Sequence, residues 1–149
     1  MYWWRRGHGR LDRAVELSAN VVQRLISFGF DMESPFDYSC PVVDGEWVFV
    51  VGTTGFDYAT GVIFDKPAEQ KLQTFCNIEA VQIEVDATLS NVVRAPYIAA
   101  NSEQLETIAE FVGENFHKIR PSAKAIISNY VDLRMKIESE GTARKRRET

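Results

Sequence analysis

The chain has 149 residues, a formal net charge of −4, and 45% hydrophobic and 26% charged residues. This length fits one domain whose core is large enough to fold without disulfides or metal. The negative charge argues against nucleic acid as the main partner. No apolar run approaches the roughly 20 residues that a membrane-spanning helix needs.

The two cysteines, Cys40 and Cys76, stand alone in the sequence. Two isolated cysteines do not make a secreted disulfide framework, and neither belongs to a pair with metal-ligand spacing. We therefore expect reduced thiols in a cytoplasmic protein, with no metal and no cofactor.

Residues 1–20 differ in composition from the rest of the chain. Met1–Arg10 is aromatic, basic and glycine-containing, and it has no periodicity. Leu11–Val22 could form a short helix. We interpret residues 1–20 as an N-terminal extension, either disordered or helical. A contact arm for a neighbouring subunit and a misassigned start codon are the alternatives.

The next part of the chain predicts three strands, over Val21–Phe28, Tyr38–Val43 and Trp47–Gly52. Asp44-Gly45 predicts a type I′ hairpin between the second and third strands. Residues 47–51 are apolar throughout, which indicates a strand that is covered on both faces. Helices would cover one face, and a partner subunit could cover the other.

A first helix is predicted to follow the loop Thr53–Lys66. Pro67 suits the first helical turn, and Asp65 is the expected N-cap. Five apolar residues then recur at helical spacing: Leu72, Phe75, Ile78, Val81 and Val85.

The remaining chain predicts a strand, a helix and two further strands. Pro96 lies inside the predicted strand Val92–Ala99, which suggests an edge position or a bulge. Ser102 is the expected N-cap of the second helix, whose apolar stripe is Leu105, Ile108, Ala109, Val112 and Phe116. The last two strands are predicted over Ala123–Ser128 and Leu133–Glu140.

These elements predict an α+β fold, a mixed six-stranded sheet with two helices on one face. The other face of such a sheet must also be buried. Because the chain offers no third helix to cover it, self-association is the simplest solution.

Several segments resemble one family in their order and spacing. Tyr38-Ser39 begins a strand, Gly45 to Gly61 reads GEWVFVVGTTGFDYATG, and the end of the chain carries RPSA at 120–123 and RMKIE at 134–138. Over residues 21–143 the chain resembles the RidA/YjgF family, also labelled endoribonuclease L-PSP. The resemblance implies a chorismate-mutase-like fold and a homotrimer that binds small molecules in three intersubunit clefts. Residues 144–149 form a basic tail outside it.

The resemblance also implies which positions form the site. Active members carry an arginine that grips a substrate carboxylate, and Ala123 stands at that position here. Ala125 and Val51 replace two further polar residues of the family pattern. Glu138 matches the glutamate that orients water and handles protons, and Tyr38 matches a tyrosine of the cleft.

Each of these positions also has a simpler interpretation. Glu138 could be one of two outward-facing carboxylates, with Glu140, and Tyr38 could be a half-buried structural residue. For the missing cation, Arg120 could reach the mouth of the cleft. Arg94 lies on a neighbouring strand, and Lys124 should point to the opposite face from Ala123.

Three functions follow as hypotheses. The first is hydrolysis of a small enamine, imine or related metabolite, although a standard 2-aminoacrylate deaminase is not expected without the arginine. The second is a non-catalytic trimer that binds a small ligand. RNA cleavage or translation inhibition is the weakest, because the basic run at 144–147 lacks interleaved aromatic residues.

Overall fold

The computed structural model of the protein describes residues 12–18, 21–27 and 40–146. Met1–Arg10, Tyr38 and residues 147–149 lie outside the described residues, so the expectations for them stay predictions. In the described part no helix is long and apolar enough to cross a membrane.

The described residues form one seven-stranded mixed sheet, a two-stranded ribbon and two helices. The sheet strands are β1 Asp12–Ser18, β2 Val21–Ile26, β3 Val42–Asp44, β4 Trp47–Thr54, β7 Val92–Ala99, β8 Ser122–Ile127 and β9 Ile137–Arg144. The ribbon is β5 Phe56–Asp57 with β6 Val62–Ile63, and the helices are α1 Pro67–Glu84 and α2 Ser102–Phe116.

The sheet order is β1-β2-β3-β4-β9-β7-β8. Every pairing in it is antiparallel except β7 with β8, where α2 forms the crossover between two parallel strands. The predicted chorismate-mutase-like α+β fold is confirmed: six predicted strands and both helices are present, and β1 adds a seventh strand.

The short helix expected over Leu11–Val22 is wrong where the structure describes it. Asp12–Ser18 instead pairs antiparallel with β2, from Asp12 opposite Ile26 to Ser18 opposite Val21. Pairing with a neighbouring strand satisfies the backbone of this segment, and tertiary context of this kind overrides a weak local helix propensity.

The β3–β4 hairpin is real, but its turn differs from the prediction. Asp44 pairs with Trp47, so Gly45 and Glu46 are the two central residues. Gly45 has φ +58° and Glu46 is not among the residues with positive φ. Positive φ at the first central position alone defines a type II′ turn, for which glycine is favoured.

Both predicted helix caps shift by one residue. Lys66 rather than Asp65 precedes α1, and its side chain makes no capping hydrogen bond. Asn101 rather than Ser102 caps α2, because its Oδ1 accepts a hydrogen bond from Gln104 N at 3.0 Å. Asparagine is among the best N-cap residues.

Two strand predictions also need correction. Of the edge position or bulge suggested by Pro96, the edge position is wrong, since β7 lies between β9 and β8. The pairing of β7 with β9 does shift register, between Val92 and Arg94. The last strand runs over Ile137–Arg144 and not Leu133–Glu140, so Arg144 of the expected basic tail belongs to the sheet.

The helices cover one face of the sheet, and the core lies between them. Its buried residues include Val48, Val50, Tyr97, Ile108, Phe116 and Ala143. The predicted stripe of α1 is only partly buried: Phe75 and Val81 face the core, but Leu72 is 56% exposed. Four polar residues share the buried face of α1: Gln70, Thr74, Asn77 and Gln82.

Gln70 is fully buried and hydrogen-bonds two backbone segments, one before α1 and one before β9. Its Nε2 donates to Phe64 O at 2.6 Å and to Arg134 O at 2.8 Å. Its Oε1 accepts from Lys136 N at 2.9 Å. Gly55 packs directly on it, because a Cβ added at Gly55 would lie 2.5 Å from Gln70 Cβ.

The face away from the helices, which we call the open face, exposes large apolar side chains. On β4, Trp47, Phe49 and Val51 are 37–45% exposed, while Val48 and Val50 between them are buried. The alternation assigns the first set to the open face and the second to the core. An apolar row of this kind marks an interaction surface.

Gly55→Ala should lower stability by about 1–3 kcal/mol, since the added methyl group overlaps Gln70 and the surrounding backbone must shift. Thermal unfolding followed by circular dichroism measures the loss. Gly113→Ala is the matched control, because nothing lies within 4 Å of its added Cβ. In α2 this change should stabilise by up to about 1 kcal/mol. Equal midpoints for the two variants would contradict the packing argument.

Candidate functional site

Glu138 occupies an interior position of the sheet. Its strand β9 lies between β4 and β7, and its cross-strand partners are Thr54 and Ile98. Its neighbours Ile137 and Ser139 are buried against the core, whereas Glu138 is half-buried. Alternation therefore places its side chain on the open face.

Two tyrosines bond to the backbone on either side of Glu138. Thr54 N donates to Tyr58 Oη at 3.1 Å on the β4 side. On the β7 side, Tyr130 Oη donates to Ile98 O at 2.7 Å. The two loops that carry these tyrosines are thereby fixed beside the glutamate.

The surroundings of Glu138 disfavour its charged form. Burial, followed by repulsion from Glu140, raises the pKa of the Glu138 carboxyl above its ordinary value. Burial raises the pKa of Tyr58 to about 12. The pKa of Tyr130 is raised by burial and then by the charge on Glu138. Both phenols are therefore neutral hydrogen-bonding groups near neutral pH.

The two glutamates of β9 differ in their ion pairing. Arg94 Nη1 lies 3.6 Å from Glu140 Oε2. Within residues 12–18, 21–27 and 40–146, no ion pair involves Glu138. A half-buried carboxylate without a cation is poised to bind a ligand or exchange a proton.

Ala123 and Ala125 lie apart from Glu138 within one chain. Both are exposed on β8, where Ala123 pairs with Ala95 and Ala125 with Tyr97. Ala95 and Tyr97 are buried beneath the helices, so alternation puts both alanines on that side of the sheet. A site that combines them with Glu138 would need a second subunit.

Three cations are candidates for the place of the missing arginine. Lys124 pairs with Pro96, so it lies on the same face of the sheet as Glu138 and on the opposite face from Ala123. Arg94 is held by Glu140. Arg120 is exposed at the end of α2, with φ +49° and its N–H donating to Phe116 O at 2.8 Å. The structure does not bring Arg120 into the sheet beside Glu138.

Val51 is 45% exposed on the open face of β4. Its carbonyl accepts a hydrogen bond from the buried thiol Cys40 Sγ at 2.6 Å. Cys40 also borders a cleft of about 350 Å³ that is lined by Thr53, Tyr58 and Asn77. Thr53 pairs with buried Ser139, so this cleft lies on the helix side of β4 and does not contain Glu138.

Tyr58 and Tyr130 were missed as site residues because each lies in a predicted loop. Position in a loop alone does not say which strand a side chain will reach. A usable signal was the presence of one tyrosine shortly after β4 and another in the loop between β8 and β9. A tyrosine at such a position can bury its ring and still bond a strand backbone.

Tyr130→Phe should destabilise the protein by about 1 kcal/mol, because the part-buried Ile98 carbonyl loses a donor. Tyr97→Phe is the matched control: the Tyr97 hydroxyl is buried and has no hydrogen-bond partner within residues 12–18, 21–27 and 40–146, so its removal should be neutral or stabilising. Chemical denaturation of both variants tests the contrast. Equal losses would show that the Tyr130 hydrogen bond contributes nothing specific.

Known proteins share this arrangement of strands and helices. A family model described as endoribonuclease L-PSP matches residues 31–145. A member of the YjgF/YER057c/UK114 family from Mycobacterium tuberculosis is 28% identical, with a TM-score of 0.72. That match covers 82% of this chain and 98% of the mycobacterial chain.

Two further crystal structures share the fold. RidA from the Antarctic bacterium Psychrobacter is 23% identical, with a TM-score of 0.67 and coverage of 72% of this chain and 87% of the other. Yeast Mmf1 is 19% identical, with a TM-score of 0.68 and coverage of 73% and 87%. No curated protein matches the chain. The family model spans most of the sequence, and the chain therefore belongs to the endoribonuclease L-PSP family, also called RidA/YjgF.

Proposed function

We propose that the protein hydrolyses a small enamine, imine or related metabolite, with Glu138 as the general acid and base. The observation that carries this proposal is the half-buried carboxylate of Glu138, which has a raised pKa and no ion-pair partner among the described residues. A carboxyl group whose pKa is raised holds its proton more readily, so it can both take and return a proton.

The reaction requires one water and two proton transfers. Glu138 would take a proton from water as the water oxygen attacks the carbon of the C=N bond. Glu138 would return this proton to nitrogen, and the hydroxyl proton of the resulting carbinolamine would then pass to the same nitrogen. The C–N bond would break as the C=O bond forms, which releases a carbonyl compound and ammonia. Tyr38 would help to place the ligand, as the family resemblance implies.

A non-catalytic trimer that binds a small ligand is the alternative. The exposed methyl groups of Ala123 and Ala125 favour it, because they offer neither a carboxylate grip nor a proton. RNA cleavage or translation inhibition has less support. Arg144 lies in β9, pairs with Glu46 at 3.0 Å and lies over the Trp47 ring, so part of the basic run is already engaged.

We also propose the homotrimer, with the open faces turned inward and the helices outward. The apolar row of Trp47, Phe49 and Val51 supports this arrangement. Intersubunit clefts would also let Ala123 of one copy approach Glu138 of another, which the register within one chain does not allow.

Phe49→Glu should break the assembly, because burying a charge in an apolar interface costs more than the contact gains. Sedimentation velocity should show monomers in place of trimers. Ile83→Glu is the control, since Ile83 is 77% exposed on α1, away from the open face, and it should leave the trimer intact. A Phe49→Glu protein of unchanged mass would contradict the interface, and a monomeric wild type would refute the trimer.

Enamine and imine hydrolysis is tested by generating imines in situ and following the carbonyl product. Without an arginine at Ala123, 2-aminoacrylate and iminopropionate should decay no faster than in buffer. For an imine that is turned over, Glu138→Gln should lower kcat/KM by about 100-fold or more. Glu140→Gln, which removes the neighbouring carboxylate, should retain most of the activity. An unchanged rate in Glu138→Gln would eliminate the glutamate's role.

A further inference from the structure

We propose that the Glu138 site recognises a cationic nitrogen, a protonated imine or amine, in a molecule that carries no carboxylate. This substrate class rests on the proposed function of Glu138. The charges and side chains around Glu138 on the open face support it.

The carboxylates of β9 make the open face around Glu138 negatively charged. Glu138 and Glu140 alternate onto the same face, two residues apart. Arg94 lies 3.6 Å from Glu140 and offsets its charge. In the described part of the chain nothing offsets the charge of Glu138, so the site is left with one uncompensated negative group.

Of the other charged groups near this face, Arg134 and Arg144 are already paired, and Lys124 lies on another strand. Asp132 Oδ2 and Arg134 Nη2 bond each other at 2.6 Å. Arg144 is paired with Glu46 at the far end of β9. Lys124 lies on β8, two strands from β9, which corresponds to about 10 Å between backbones.

The side chains beside Glu138 suit a weakly hydrated cation better than an anion. Ile98 is its cross-strand partner on β7, and Ile126 stands level with Ile98 on β8. Tyr58 and Tyr130 lie close enough to Glu138 for its negative charge to raise the pKa of both phenols, so both are neutral groups. A ligand carboxylate would instead meet the uncompensated negative charge of Glu138 on a partly desolvated surface.

The chemistry of hydrolysis is consistent with this choice. A protonated imine reacts as R1R2C=NH2⁺ + H2O → R1R2C=O + NH4⁺, so atoms and charge balance and no oxidant or reductant is needed. The Glu138 carboxylate would attract the iminium and take the proton from the attacking water. One charged group would thus bind the substrate and activate its nucleophile.

Binding is tested with two probes that differ by one carboxylate, pyrrolidine and proline, by calorimetry with the full chain. Pyrrolidine, protonated at neutral pH, should bind, and proline should bind at least tenfold more weakly. Glu138→Gln should lower pyrrolidine affinity at least tenfold, whereas Glu110→Gln, at an exposed position on α2, should change it little. Affinity should fall as pH drops, because protonation removes the Glu138 charge, and the fall should begin at a higher pH than for an exposed glutamate.

Turnover of 1-pyrroline and of 1-pyrroline-5-carboxylate, with the aldehyde product trapped, separates this inference from the proposed function. If pyrrolidine binds through Glu138 but neither imine is hydrolysed, the hydrolase function fails and the cation preference stands. Equal or tighter binding of proline would overturn the preference. So would the absence of pyrrolidine binding, or binding that Glu138→Gln leaves unchanged. Proline binding that is lost in Lys124→Met would identify Lys124 as a carboxylate anchor and would also overturn it.

Discussion

The buried amide of Gln70 is the contact on which the arrangement of this domain depends. It bonds the backbone before α1 and the loop before β9 at the same time. A buried amide must satisfy both its donor and its acceptor atoms, and these two segments supply the partners. Its bond to Lys136 N fixes the chain two residues before Glu138. Gly55 lets a third segment approach, because any side chain there would displace the amide.

Much of the architecture could be predicted from the sequence because it follows from periodicity. The apolar run of β4 and the stripe of α2 identified a strand and a helix. The buried face of α1 was harder, since Gln70 and Asn77 are polar and their burial depends on carbonyls from distant segments. β1 was missed for the same reason: its stability comes from pairing with β2, which local propensity does not encode.

The candidate site could also be predicted only in part. Glu138 could be found because a short, ordered signature at the end of the chain marks it. Its environment could not, since Tyr58 and Tyr130 reach it from two loops that the fold brings to adjacent strands. The pairing of Arg94 with Glu140 was also hidden, and this pairing leaves Glu138 as the uncompensated charge. Identity of a residue is a local property, whereas charge balance is a property of the folded sheet.

The position of β9 has a consequence for synthesis on the ribosome. β9 is the last strand along the chain, yet it lies inside the sheet and joins β4 to β7. A nascent chain that ends at Lys136 has β4 and β7 without their shared neighbour, and their unpaired backbone edges can pair with other chains. The β3–β4 hairpin can form early because its contacts are local. The sheet can close only after β9 has emerged, so the edges of β4 and β7 stay unpaired until then.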